Sequence, residues 1–390
     1  MNYYSRICCL MILTCVVGSF AVGQSAVITL VFPSGSRSLA MGEVGTALAD
    51  DEDVLFYNPA GLGIPNQRWD RGAGTNFFEQ LLPAFKIPDL WHGHSAILYQ
   101  PESPLYGGYA VDLNYLNFGL NTSTDELGNA IAQYMSYEYV LSAAWGFSLE
   151  EIGIHNHFFG VALKLINSAL APGIGPNGEG TARSYAVDFG YIWRFLPYMR
   201  FGLTFANMGP SVYYINSQES DPIPFTINLA FAYKNTFMIK DFHFLDVNAE
   251  VRAEREIVKN YPDKQPDPFY VAMYTGLLND KEDYPTLQSN FKAINLHAGA
   301  EVTFANTGSI RWGLLSDVPG QRFEAHLGFG FRVYDHIQWD FSYIYAPEGF
   351  MKNVFPPGAN GARDGQISTS ITFFRVGSWS AKDGKWFLKP

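Results

Sequence analysis

The chain has 390 residues, 47% hydrophobic and 16% aromatic, with 26 Lys and Arg against 37 Asp and Glu, a formal net charge of −11. That acidic balance argues against nucleic acid and anionic membrane surfaces as partners. Past the first 25 residues no run reaches the roughly 18 consecutive apolar side chains a spanning helix needs, which excludes a helical membrane protein but not one crossing on strands.

Residues 1–23 read as a secretory signal. Arg6 gives the positive start, Ile7 to Phe20 the apolar core, and Ala21-Val22-Gly23 a small-x-small cleavage site. Its removal takes away only Arg6, leaving 25 basic residues against 37 acidic, a net −12. Cys8, Cys9 and Cys15 all fall inside it, so the processed chain is expected to lack disulfides, thiol chemistry and cysteine-held metal. Cys15 follows Leu13-Thr14, a poor context for lipid attachment.

Residues 24–66 are expected to form a plug or hatch. Within them Leu39 to Leu48 is a small-residue amphipathic stretch, suited to threading a confined space. The acidic run Asp50 to Asp53 lacks the alternation and glycine of a calcium loop and reads as a solvated turn. Asn58-Pro59-Ala60-Gly61 closes the segment: proline fixes its own backbone angle, and Asn and Gly favour turns.

From there to residue 374 the pattern has a period of two, the signature of strands. Strand cores are expected at 68–78, 91–99, 106–119, 135–148, 158–169, 182–195, 199–206, 225–234, 242–256, 292–305, 309–315, 322–334, 337–346 and 366–374. Phe323, Ala325, Leu327, Phe329, Phe331 and Val333 share one face, with Arg322, Glu324, His326 and Arg332 on the other. An aromatic face backed by a charged one places lipid outside and a polar lumen inside. Links after even strands are mostly short, as at 196–198 and 306–308, and those after odd strands mostly long, as a barrel with tight turns at one end produces. In the longest, 257–291, Phe269 to Leu278 suggests a short helix. The fold class is therefore all-β, a transmembrane antiparallel barrel of about fourteen strands spanning 67–374. Residues 375–390 are left as a periplasmic tail, either disordered or docking.

Trp145, Trp193, Trp312 and Trp339 all fall on the outer face near short turns and form a candidate aromatic girdle. The lumen face offers a candidate ion network: Asp188, Asp246, Glu250, Arg252, Glu301, Arg311, Arg322, Glu324, Arg332 and Asp340, with Arg200 beside them. Pairing across strands offsets the desolvation cost such charges otherwise carry. A Glu250–Glu301 pair could be imagined for hydrolysis, but the ion-network reading is preferred. His92-x-His94 lacks a complementing ligand at an obvious spacing, and no metal is expected there. Without a phosphate-binding glycine loop or a serine elbow, no enzyme and no cofactor are expected.

The order Ala40-Met41-Gly42, then Asn58-Pro59-Ala60, resembles the N-terminal signature of the PorV/PorQ family of outer-membrane proteins, within the wider superfamily of FadL fatty-acid transporters. Here Ala40 stands where that family shows glycine, and the tail after Phe374 is extra. The resemblance implies a fourteen-stranded barrel with an N-terminal hatch, in which Met41, Gly42, Asn58, Pro59, Ala60 and Gly61 belong to the plug motif. It also implies an outer-membrane location and a part in protein secretion of the type IX kind, with exported cargo and secretion-machinery components as partners. The alternatives are FadL-like passage of a hydrophobic ligand, and a structural or adhesion role. Outer-membrane lipid is a partner under all three.

Overall fold

The computed structural model describes residues 25–65, 72–83, 89–101, 107–174, 180–216, 219–261, 264–276, 293–318, 320, 322–333, 336–347 and 363–374, with the backbone of 379–382 and 385–388. Fourteen strands close into one antiparallel barrel. They are β1 (Gly72–Gln80), β2 (Trp91–Tyr99), β3 (Gly108–Thr124), β4 (Ala130–Ser148), β5 (His157–Ala169), β6 (Thr181–Leu196) and β7 (Met199–Met208). β8 (Thr226–Ile239), β9 (Phe242–Glu256), β10 (Asn295–Phe304), β11 (Gly308–Asp317), β12 (Arg322–Val333), β13 (Ile337–Tyr345) and β14 (Ile367–Phe374) follow. Each pairs with its sequence neighbours, and β1 meets β14, Ala73 opposite Phe374, so no edge is left unpaired.

Every expected strand is present. β3 and β4 run further than the alternation suggested, to Thr124 and back to Ala130. The cause is a tight hairpin in which the Asp125 carboxylate accepts the N–H groups of Leu127 and Asn129 at 2.9 and 2.8 Å. Links 197–198, 240–241, 305–307 and 334–336 gather at one end of the barrel. The other end carries 209–225, 257–294 and 346–366, although 125–129 and 318–321 there are short, against the expected sorting. The 257–294 link carries the anticipated helix, α3 (Phe269–Thr275). The sequence left the tail open; Trp379–Lys382 and Lys385–Leu388 pair as a hairpin separate from the barrel sheet. The signal segment 1–23 lies outside the described residues.

The outer face is apolar. Ile97, Leu163, Ile310 and Leu327 are 64, 59, 57 and 53% exposed. A continuous band of this kind is tolerable only against lipid.

Residues 25–64 lie in the lumen. They form α1 (Ser36–Ala40), α2 (Val54–Tyr57) and 3-10 turns at Ile28–Leu30 and Pro59–Gly63. The amphipathic stretch expected over Leu39 to Leu48 is not continuous: Gly42 and Glu43 take φ of 72° and 64°, and the chain turns away after α1. The acidic run is not solvated. Asp50, Asp51, Glu52 and Asp53 are all buried.

Candidate functional site: a sealed lumen and its vestibule

Two rows of inward-facing glycines receive the lumen segment. Gly108, Gly146, Gly160 and Gly190 stand directly opposite one another across β3 to β6. A Cβ at any of them would overlap Asn58, Pro59 or Leu62. Across the lumen Gly299 and Gly313 are paired on β10 and β11, and a Cβ there would overlap Met41 and Gly42. The backbone thus touches the wall on two sides, an approach only glycine permits. All six motif residues, Met41, Gly42, Asn58, Pro59, Ala60 and Gly61, take part in this packing or in the turns that shape it.

Asn58 is the pin of the first contact. Its Nδ2 donates to Thr46 O at 2.8 Å and Tyr191 O at 3.2 Å, and its Oδ1 accepts the Ala60 N–H at 3.0 Å. Pro59 then opens the 3-10 turn, where a missing N–H costs nothing.

The charged wall residues mostly hold this segment. Both oxygens of buried Glu250 accept consecutive backbone N–H groups, from Gly45 (3.0 Å), Thr46 (2.8 Å), Ala47 (3.0 Å) and Leu48 (2.7 Å). Arg200 donates to Leu48 O at 2.5 Å. Arg37 of α1 forks onto Glu301 at 2.9 and 2.8 Å and reaches Asp50 and Asp51 at 2.8 and 2.7 Å. Arg311 joins Glu301 to Asp340, both at 2.6 Å. Lys234 closes on Asp50. Burial of Asp50 and Asp51 is therefore compensated by cations from both the segment and the wall, while Glu52 accepts the Thr372 hydroxyl instead.

The other candidate charges spread around this cluster. Arg252 lies over the Tyr57 ring at 5.5 Å, pairs with Glu254 at 3.1 Å and donates to His297 at 3.0 Å. Arg322 pairs with Asp317 at 2.8 Å, and Glu324 with Arg363 at 3.0 Å. Asp188, Asp246 and Arg332 stand apart from it. Asp188 pairs with Lys164 at 2.7 Å and Asp246 with His243 at 2.8 Å. Arg332 lies 4.3 Å over the Phe374 ring. His92 and His94 meet Glu79 at 2.9 Å and Asp112 at 3.2 Å. The four tryptophans Trp145, Trp193, Trp312 and Trp339 are exposed on the outer face, each a few residues from a link at the short-turn end.

At the long-loop end the lumen widens into a cavity of about 1420 Å³. Ile28, Leu30, Val31, Phe32 and Phe56 of the lumen segment give it an apolar floor, while Arg252, Arg322 and Arg363 line its sides together with Glu254, Glu256 and Asp317. Sequence alternation could not find this floor, because the apolar residues come from outside the strands.

Solved structures that share this architecture include the Pseudomonas putida toluene transporter TodX, at 10% identity and TM-score 0.50, over 92% of this chain and 99% of that one. Others are the Ralstonia pickettii toluene transporter TbuX (12%, 0.43, 87% and 97%) and a Pseudomonas aeruginosa FadL homologue (10%, 0.41, 87% and 98%). The chain has the fold of a bacterial outer-membrane barrel. No protein-family model and no curated protein matches it. The narrower resemblance to the PorV/PorQ family therefore rests on residues 40–60.

Proposed function

We propose that this barrel passes hydrophobic or amphipathic small molecules across the outer membrane, with the vestibule as the loading site and residues 25–64 as the hatch. The observation that carries the reading is the 1420 Å³ cavity whose apolar floor is made by the hatch itself. Its walls are polar and charged, so the site suits a molecule whose apolar part lies on that floor and whose polar end meets the walls. A molecule seated on Ile28, Phe32 and Phe56 touches the element that must move for it to pass, so loading and opening are mechanically linked. Fold likeness to a toluene transporter supports the same reading. The secretion role implied by the PorV/PorQ resemblance draws no support from TodX, which is described as a toluene transporter.

The test is binding of dansyl-undecanoate to the detergent-solubilised protein. Saturable binding, lost when Phe56→Asp places a charge in the floor, is the expected result. Binding that Phe56→Asp leaves unchanged would remove the vestibule from the account. Intact uptake but lost secretion in a deletion strain would favour the secretion reading instead.

A further inference from the structure

Where the hatch leaves α1, three ligating side chains converge: Glu43 from the hatch with Glu324 and His326 from β12. One ligand atom from each lies within 4.8 Å of the others, and all three residues are buried. The histidine carries a second, independent observation. Its Nδ1 is 2.7 Å from Leu39 O. A carbonyl only accepts, so Nδ1 holds the proton. Nε2 is then turned toward Glu324 Oε2 at 3.3 Å, and makes no hydrogen bond to any described residue. The imidazole, anchored this way, turns a buried ring nitrogen that makes no hydrogen bond into the space between the two carboxylates. This is the arrangement in which histidine ligates a metal, with the far ring nitrogen fixed by a backbone carbonyl.

We propose that Glu43, Glu324 and His326 form a divalent transition-metal site, zinc being the best fit, that staples the hatch to the barrel wall in exchange with the Arg363 guanidinium. Two carboxylates and one imidazole make a three-ligand zinc set with a fourth position open. Arg363 Nη1 bridges Glu43 at 2.8 Å and Glu324 at 3.0 Å and stands as the competing cation. Arg322, 3.6 Å from the other oxygen of Glu324, is the further charge facing the site. Glu43 holds a left-handed backbone that a non-glycine residue adopts at a cost, and this turn carries its carboxylate to β12. Both Glu43 and Arg363 line the vestibule, so an ion reaches the site from the long-loop end. The inference does not depend on what the barrel transports.

The test uses untagged, detergent-solubilised protein, stripped with chelator and titrated with zinc by calorimetry. X-ray absorption then reports the ligand shell. One zinc per barrel with mixed nitrogen and oxygen ligation is expected in the unmutated chain. Arg363→Gln, which removes the competing charge, should tighten binding by at least about tenfold. His326→Gln should abolish it, with barrel integrity verified by the heat-dependent electrophoretic shift. Absence of stoichiometric zinc in both the unmutated and Arg363→Gln proteins overturns the proposal. So does unchanged affinity in either variant.

Discussion

Glu250 on the barrel wall accepts the backbone N–H of Leu48 at 2.7 Å, the shortest of four consecutive hatch N–H groups closing on one buried carboxylate. Backbone donors replace the water this anion loses on burial, and the anion satisfies four consecutive donors of the turn from Gly45 to Leu48. Neither side is at ease without the other. The relationship makes the hatch part of the barrel's own polar bookkeeping.

Glu250→Ala should accordingly release the hatch without unfolding the barrel. It strands four buried donors, and breaking a buried charged contact of this kind typically costs about 3–5 kcal/mol. Planar-bilayer recordings should show frequent openings in the variant and a quiet baseline in the unmutated protein. Glu250→Gln keeps one acceptor oxygen and should fall between them.

The glycine rows give a graded test of packing. Gly160→Ala and Gly190→Ala put a Cβ into the backbone and side chain of Pro59 and Asn58, and should loosen the hatch. Overpacking of this sort costs about 1–3 kcal/mol. Gly308→Ala lies on β11 with nothing within 4 Å of its added carbon and serves as the control. Hydrogen exchange over residues 45–61 should rise in the first two variants and not in the third.

Asp53 sets a pH dependence. Burial raises its pKa well above the ordinary value, and Asp51 and Glu52 raise it further against the opposing pull of Arg37. With the folded value above the unfolded one, its contribution is present at acidic pH and lost as pH rises through the folded value. Hatch protection factors, which divide out the intrinsic base catalysis of exchange, should therefore fall as pH rises. Asp53→Asn, neutral throughout, should flatten that fall and leave the hatch better protected at alkaline pH.

The girdle assignment predicts interfacial depth. Lipids brominated near the headgroup should quench fluorescence from Trp145, Trp193, Trp312 and Trp339 more strongly than lipids brominated at the chain end. Stronger quenching from the chain end would move the short-turn boundary away from these residues.

Much of the barrel was legible because lipid and lumen impose opposite demands on alternate residues. Leu327 and Glu324 are sorted by polarity alone; the rule weakens where apolar side chains such as Leu98, Phe158 and Ile192 face inward onto the lumen segment. The site was less legible, because the lumen of this protein is filled. Asp50 to Asp53 reads as a solvated turn until Arg37 and Lys234 are seen to enclose it. Gly146, Gly160 and Gly190 each occupy an inward position beside aromatic neighbours, a visible signal. Polarity-based alternation gives no weight to a missing side chain, so their common height on adjacent strands passed unnoticed. The vestibule floor was invisible for a related reason: it belongs to a segment with no strand period.

The most direct test of a moving hatch locks it. Ser36 and Ser368 hold their hydroxyl oxygens 2.8 Å apart between α1 and β14, and all three native cysteines lie within the first 15 residues. Uptake of dansyl-undecanoate by cells carrying Ser36→Cys with Ser368→Cys should be slow when oxidised and return to the unmutated rate on reduction. Equal uptake in both states, with the disulfide verified in the oxidised protein, would contradict transport through this barrel by way of the hatch.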